Sequence, residues 1–204
     1  MMPDIPATKE SLIAKLIGME WQMFTAVHNT ARRALCQDDQ KTFFIMRMSQ
    51  FMAWDVPTLC HYYGDVYDAQ IHQCNLMTYK YGYMMEYTYP TEYECIKDEL
   101  PAISMKKRQL IIQILRQQLR WLTETVASYP NILRSGRPLR QSQASAGTVS
   151  FEVYAKCECM TYSLATLESL WAYMQKLKAQ GRNLNEEILT YTAKLYGLTT
   201  IAAL

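Results

Sequence analysis

Residues 104–128 read SMKKRQLIIQILRQQLRWLTETVAS, and this stretch decides the fold class. Its apolar residues recur at spacings of three and four, which places their side chains on one face of an α-helix. Ser104 can cap the start of this helix, and Tyr129-Pro130 ends it. The apolar face comprises Leu110, Ile111, Ile114, Leu115, Leu119, Trp121, Leu122 and Val126. The stretch therefore predicts a long helix with one buried face.

Helical spacing recurs on both sides of this segment. Alternating tyrosines between Tyr79 and Tyr89 are typical of a strand, but the Met-Met-Glu run at 84–86 favours a helix. Residues 134–149 are polar and lack any period, so we expect a mobile loop there. The remaining predicted helices cover about 8–27, 38–54, 57–86, 91–99, 150–179 and 185–196. The sequence thus predicts an all-α protein, a single helical domain over 1–204 that forms a mostly antiparallel bundle of six or seven helices.

Composition narrows the class of protein. Half of the 204 residues are hydrophobic, and only seven are Gly and seven Pro, which is typical of a globular chain. No apolar run approaches the roughly 20 residues of a membrane span, and residues 1–10 do not resemble a secretory signal. The six cysteines show no Cys-x-x-Cys spacing. We therefore expect a cytoplasmic protein with reduced thiols, no membrane association and no metal site.

The second predicted helix carries polar residues where a core is expected. Both of its faces are largely apolar, so it should be central, yet it contains Arg47 and Gln50. Buried polar groups must form hydrogen bonds inside the protein. One interpretation is a buried ion-pair network, in which Glu20, Asp38 or Asp39 pairs with Arg47. The other is a polar pocket at the break between the first two helices. Asp38 is also the predicted N-cap of the second helix, with Asp39 adding negative charge at its start.

A second polar cluster lies at 150–163, where Tyr154 and Glu158 share one helix face and Glu152 lies on another. Arginines recur every third residue at 134, 137 and 140, and their guanidinium groups suit phosphate or carboxylate. These features predict a pocket for a small anionic ligand such as a nucleotide. The candidate ligand-binding residues are Arg33, Cys36, Gln37, Asp38, Asp39, Arg47, Gln50, Trp54, Arg137, Arg140, Glu152, Tyr154 and Glu158.

Two other functions fit the same sequence. Eight of the 21 Lys and Arg residues lie between Lys106 and Arg140, opposed only by Glu124, so this segment could bind a protein partner or RNA. An enzyme could instead use the Cys36 thiol or the carboxylates, although no histidine lies near Cys36 in the sequence. The sequence leaves open whether the protein is an enzyme and which cofactor, if any, it uses.

The run 29–39 and the helix after it resemble domain-of-unknown-function family 4125, a family of small bacterial helical proteins. The resemblance covers nearly the whole chain, and its most specific element is the Cys-Gln-Asp-Asp run at 36–39. The chain departs from the family pattern at Ala31 and Arg32, where two glycines are expected, and at Cys159, where an aliphatic residue is expected. The resemblance implies a helical fold, a bacterial cytoplasmic setting and, through a nucleotidyltransferase-like domain in some members, a connection to nucleotides or RNA.

Overall fold

The computed structural model of the chain describes residues 5–28, 34–132, 136–145 and 147–204. Within these ranges the chain is all-helical, as predicted, and contains no strand. No helix there is both long enough and apolar enough to cross a membrane. The nine helices of the described ranges are α1 (Lys9–Thr25), α2 (Gln40–Ala53), α3 (Val56–Ile71), α4 (Leu76–Thr88), α5 (Pro90–Ile96), α6 (Met105–Ser128), α7 (Phe151–Thr161), α8 (Leu164–Ala179) and α9 (Leu184–Leu195).

The predicted number of six or seven helices is too low because two predicted helices are each divided. The segment 57–86 breaks after α3, where Gln73 has a φ of 55° and the Asn75 side chain caps α4. The segment 150–179 breaks after α7, where the Ser163 side chain accepts a hydrogen bond from the first turn of α8. Side chains that bond to nearby backbone groups compete with helix continuation, and apolar spacing does not report them.

The start of α2 differs from the prediction by one residue. Asp39, and not Asp38, is the N-cap, and its carboxylate accepts a hydrogen bond of 3.0 Å from Thr42 N. Asp38 lies one position before this N-cap. Its backbone N–H donates to Leu35 O at 3.1 Å and closes a 3₁₀ turn over Leu35–Gln37. Both acidic residues therefore belong to the connection that starts α2.

The core is formed by one large apolar cluster with contributions from most of the helices. Its fully buried side chains include Leu16 of α1, Phe51 of α2, Leu59 of α3, Ile114 of α6 and Leu170 of α8. Around this cluster α2 packs against α1 and α9, α4 packs against α7, and α6 packs against α7, α8 and α9. This packing brings one face each of α1, α2, α4 and α7 together.

Candidate functional site

Arg47 lies at the centre of a buried charge network. Its Nε and Nη2 donate to the two carboxylate oxygens of Glu20, at 2.6 and 2.5 Å. Its Nη1 donates to Glu158 Oε1 at 2.7 Å and to Gln50 Oε1 at 2.8 Å. Arg47 is 5% exposed and Glu20 is 0% exposed. Four of the five guanidinium N–H groups are therefore used inside the protein.

Glu158 of α7 is the second centre of this network. Lys80 of α4 donates from Nζ to Glu158 Oε2 at 2.8 Å. Oε1 also accepts hydrogen bonds from Tyr162 OH at 2.8 Å and from Gln50 Nε2 at 3.2 Å. The Lys80 ammonium lies 3.6 Å from the centre of the Tyr154 ring, a cation–π contact. Glu158 thereby links α2, α4 and α7.

Glu20 closes the network on the side of α1. Its position in the apolar register of α1 follows from this role, because its carboxylate is turned into the core towards Arg47 and Tyr62. Tyr62 OH donates to Glu20 Oε1 at 2.5 Å. Two cations thus face two carboxylates, and the cluster is neutral as a whole. Pairing of this kind offsets the cost of removing charges from water.

The pKa values of Glu158, Lys80, Tyr62 and Tyr162 are all shifted away from neutrality. Burial alone would raise the pKa of the Glu158 carboxyl, but Lys80 and Arg47 outweigh it and keep that pKa well below its ordinary value. Burial alone would lower the pKa of Lys80, but Glu158 outweighs it and raises that pKa. Burial, reinforced by the carboxylates, raises the pKa of Tyr62 and Tyr162. Glu158 is therefore a fixed carboxylate, which is unsuited to general base catalysis.

A cavity of about 730 Å³ lies against this network. Arg47, Gln50, Tyr154, Glu158 and Tyr162 form one end of it. Most of the remaining lining is apolar and comes from helices α2, α6, α7, α8 and α9 and from residues that follow α2 and α6: Met46, Trp54, Leu122, Val126, Ile132, Leu139, Phe151, Ala155, Leu170, Ile188 and Leu189. The volume lies within the range of about 300–1,000 Å³ that is typical of small-molecule sites.

Four further polar residues line the cavity: Gln118, Arg137, Thr148 and Asn185. Gln118 Oε1 is buried, and no described residue forms a hydrogen bond with it. Arg137 lines the cavity from its exposed edge, where Nη1 donates to Val149 O at 3.1 Å and the guanidinium lies 5.0 Å from the centre of the Tyr154 ring. No carboxylate of the described residues forms an ion pair with Arg137. Its positive charge is therefore available at the mouth of the cavity.

The structure brings some of the predicted site residues together and separates others. Arg33 lies outside the described residues. Those that line the cavity are Arg47, Gln50, Trp54, Arg137, Tyr154 and Glu158. Those that do not line it are Cys36, Gln37, Asp38, Asp39, Arg140 and Glu152.

The residues outside the cavity have other contacts. Gln37 is buried, and its amide donates to Phe24 O and Val27 O at 2.9 Å each, which fastens the end of α1 to the start of α2. The Glu152 carboxylate accepts a hydrogen bond of 3.1 Å from Gln141 N and lies 4.0 Å from the Arg140 guanidinium. The run 36–39 is therefore a structural connection, and Glu152 holds the loop before α7.

Lys80 was missed by the sequence analysis, as were Tyr62, Tyr162 and Gln118. The signal for Lys80 was present, because it is the only charged residue in the stretch LMTYKYGYMM at 76–85. A single charge within an apolar helix is the same signal that singled out Arg47. The other three are uncharged residues on amphipathic helices, and their spacing alone does not distinguish a core position from a site.

The predicted basic segment divides into paired and unpaired groups. Lys106 pairs with Glu168 at 2.7 Å, and the Lys107 ammonium donates to Met160 O at 3.1 Å. Arg108, Arg116 and Arg120 are exposed on α6, and no ion pair involves them within the described part of the chain.

The thiols and carboxylates are the groups that the sequence offered as catalytic candidates. Burial raises the pKa of Cys157 to about 12 and also raises that of Cys159. Cys36 is exposed and lies outside the cavity. Among the described residues, no three His, Cys, Asp or Glu side chains are grouped so that they could hold a metal ion.

The family model described as "Protein of unknown function (DUF4125)" matches residues 10–204 of this chain. The chain belongs to this family. The described network and cavity of this DUF4125 protein both lie within the matched residues. No curated protein and no solved structure matches the chain. Membership in DUF4125 therefore assigns no activity, and functional inference depends on the site itself.

Proposed function

We propose that the protein binds a small organic ligand in the cavity between α2, α6, α7 and α9. The observation that carries this proposal is a space of about 730 Å³ with mainly apolar walls and a small number of polar groups. Small-molecule sites share this composition, in which apolar walls give affinity and a few polar groups fix orientation. The sequence-based prediction of a small anionic ligand is retained in this coarser form.

The size of the cavity argues against a simple packing defect. Protein interiors are close-packed, and voids larger than a water molecule are few. Apolar surface costs about 25 cal/mol per Å² when water covers it, so a wall of this kind is stabilised when an apolar ligand fills it. The charge network supports such a site because it fixes the orientation of α2 and α7 at one end. A rigid wall lowers the entropy cost of binding.

The first test uses N-phenyl-1-naphthylamine, a neutral apolar dye whose fluorescence rises in an apolar site. We expect saturable binding to the full chain with a stoichiometry of one. Val126→Trp adds a large side chain to the α6 wall of the cavity and should weaken binding by about tenfold or more, equivalent to about 1.4 kcal/mol.

Val56→Trp is the matched control. Val56 is exposed at the start of α3 and does not line the cavity, so this variant should bind the dye as the wild type does. Circular dichroism melts verify that both variants are folded. Absence of saturable binding by the wild type, or undiminished binding by a folded Val126→Trp variant, would contradict the proposal.

The exposed arginines of α6 favour a second candidate function, binding of RNA or of an acidic protein surface. Arg116 and Arg120 are one turn apart and have no carboxylate partner among the described residues. Phosphate contacts of this kind make affinity depend steeply on salt. Arg116→Glu/Arg120→Glu should abolish salt-dependent RNA binding, whereas Lys15→Glu/Lys41→Glu, at exposed positions of α1 and α2, should not. If the wild type does not bind RNA, RNA binding is excluded as the second candidate function.

A further inference from the structure

We infer that the ligand is an organic anion with an apolar body, and that Arg137 at the mouth of the cavity holds its charged group. This inference rests on the proposed function of ligand binding in the cavity. It changes the sequence-based expectation in two respects: Arg47 does not receive the anion, and the ligand is not a nucleotide.

Arg47 is unsuited to a ligand anion because its charge is already balanced. Glu20 and Glu158 accept three of its hydrogen bonds, and Gln50 accepts a fourth. An anion placed beside Arg47 would also lie close to the Glu158 carboxylate, which lines the same end of the cavity. Repulsion between two anions in a poorly hydrated site is costly. The polar end is therefore better suited to neutral groups.

Arg137 has the opposite properties. Among the described charged residues that line the cavity, Arg47 and Glu158 form ion pairs, and Arg137 alone forms none. One of its N–H groups is used by Val149 O, and the Tyr154 ring lies against its guanidinium. The remaining N–H groups can donate two parallel hydrogen bonds to a carboxylate or sulfonate. The contact with Tyr154 and the hydrogen bond to Val149 O already restrict the Arg137 side chain, so binding an anion costs less of its conformational entropy.

The walls beyond Arg137 indicate the rest of the ligand. The cavity that Arg137 borders is also lined by Leu122, Leu139, Phe151, Leu170 and Leu189, all of them apolar. A nucleotide carries several phosphate charges, a hydroxylated sugar and a base with polar edges. One unpaired arginine and a mainly apolar wall do not match these groups, because each buried polar group without a partner costs free energy. An aliphatic or aromatic acid matches both features.

The test compares two dyes that share a ring system and differ by one charged group. 1-Anilinonaphthalene-8-sulfonate is the anion, and N-phenyl-1-naphthylamine is the neutral analogue. We expect the full chain to bind the sulfonate about tenfold more tightly, since charge-assisted hydrogen bonds are stronger than neutral ones. Arg137→Gln should remove this preference, so that the ratio of the two affinities falls to about one. Dodecanoate should displace the bound sulfonate, whereas AMP should not.

Arg140→Gln is the control because it removes the same charge three residues away. Arg140 is exposed and does not line the cavity, so this variant should keep the preference of the wild type. If the wild type binds the neutral dye but does not prefer the sulfonate, the inference is overturned while the proposed function stands. The same holds if the preference survives in folded Arg137→Gln or is lost in Arg140→Gln. Equal displacement by AMP would also overturn the inference. Failure of the neutral dye to bind would overturn the proposed function itself.

Discussion

Replacing Arg47 by methionine should strongly destabilise the fold. The variant keeps an unbranched apolar stem but removes the cation that Glu20 and Glu158 share. Glu158 retains Lys80, whereas Glu20 is left fully buried with only the hydroxyl of Tyr62. Removing one partner of a buried ion pair costs about 3–5 kcal/mol because the remaining charge is uncompensated. We expect a loss of that size in the free energy of unfolding.

Urea unfolding at pH 7, followed by circular dichroism, measures this loss. With a slope of about 2 kcal/mol per molar urea, the midpoint should fall by about 1.5–2.5 M. Lys106→Met is the matched control because Lys106 and Glu168 also lie 2.7 Å apart but are 67% and 50% exposed. An exposed pair contributes about 0–1 kcal/mol, so the control should shift the midpoint by no more than about 0.5 M.

A double-mutant cycle separates the uncompensated charge from other effects. Glu20→Gln/Arg47→Met removes the orphaned carboxylate and leaves an amide oxygen that Tyr62 can still reach. We expect the double variant to regain about 1–3 kcal/mol relative to Arg47→Met alone. The reasoning is refuted if Arg47→Met costs no more than Lys106→Met. It is equally refuted if the cost of the double variant equals the sum of the two single costs, because residues in contact should couple.

Three other properties should follow from the same structure. The pKa of Glu158 lies below its unfolded value of about 4.3, so its contribution to stability is present above that pH and is lost as the pH falls. Between pH 6 and pH 3, the urea midpoint should therefore fall less in Glu158→Gln than in the wild type. Leu16→Ala in the fully buried core should cost about 2–5 kcal/mol, whereas Leu35→Ala at a 91% exposed position should cost less than about 0.5 kcal/mol, as urea unfolding will show. Iodoacetamide followed by mass spectrometry should label Cys36 in the folded protein and Cys159 only after unfolding, and early labelling of Cys159 would contradict its burial.

The type of secondary structure was predictable because it is a local property. The apolar spacing of 104–128 depends only on which side chains share a face of the helix. The two missed breaks depend on more than local sequence. Ser163 caps α8 while its backbone N–H donates to Asp65 of α3 at 2.8 Å, a contact between residues far apart in the chain. Such a contact exists only after the helices have packed. The apolar spacing of the sequence continues through the break and therefore does not reveal it.

For the candidate site, the sequence predicted which residues need an internal partner but not which residue is the partner. Arg47 and Gln50 were predictable because a charged and an amide side chain on a central helix must be satisfied internally. The sequence could not choose between Glu20 and the two aspartates as the partner of Arg47. Asp39 does not take part in the network because its carboxylate caps α2. Which of these functions an acidic residue serves depends on the angle between α1 and α2, which the sequence does not state.

The sequence left two interpretations of Arg47, a structural network or a polar pocket at the break between the first two helices. The structure shows the network, and the cavity beside it is lined mainly from α2, α6, α7, α8 and α9 and by no described residue of that break. The network is neutral and internally satisfied, so its contribution is to stabilise α1, α2, α4 and α7 against one another. That same arrangement forms one end of the cavity. Because the charge of Arg47 is balanced within the network, our proposal assigns selection of an anion to Arg137 at the mouth. An arginine can therefore be essential to the shape of a site without contacting the charged group of its ligand.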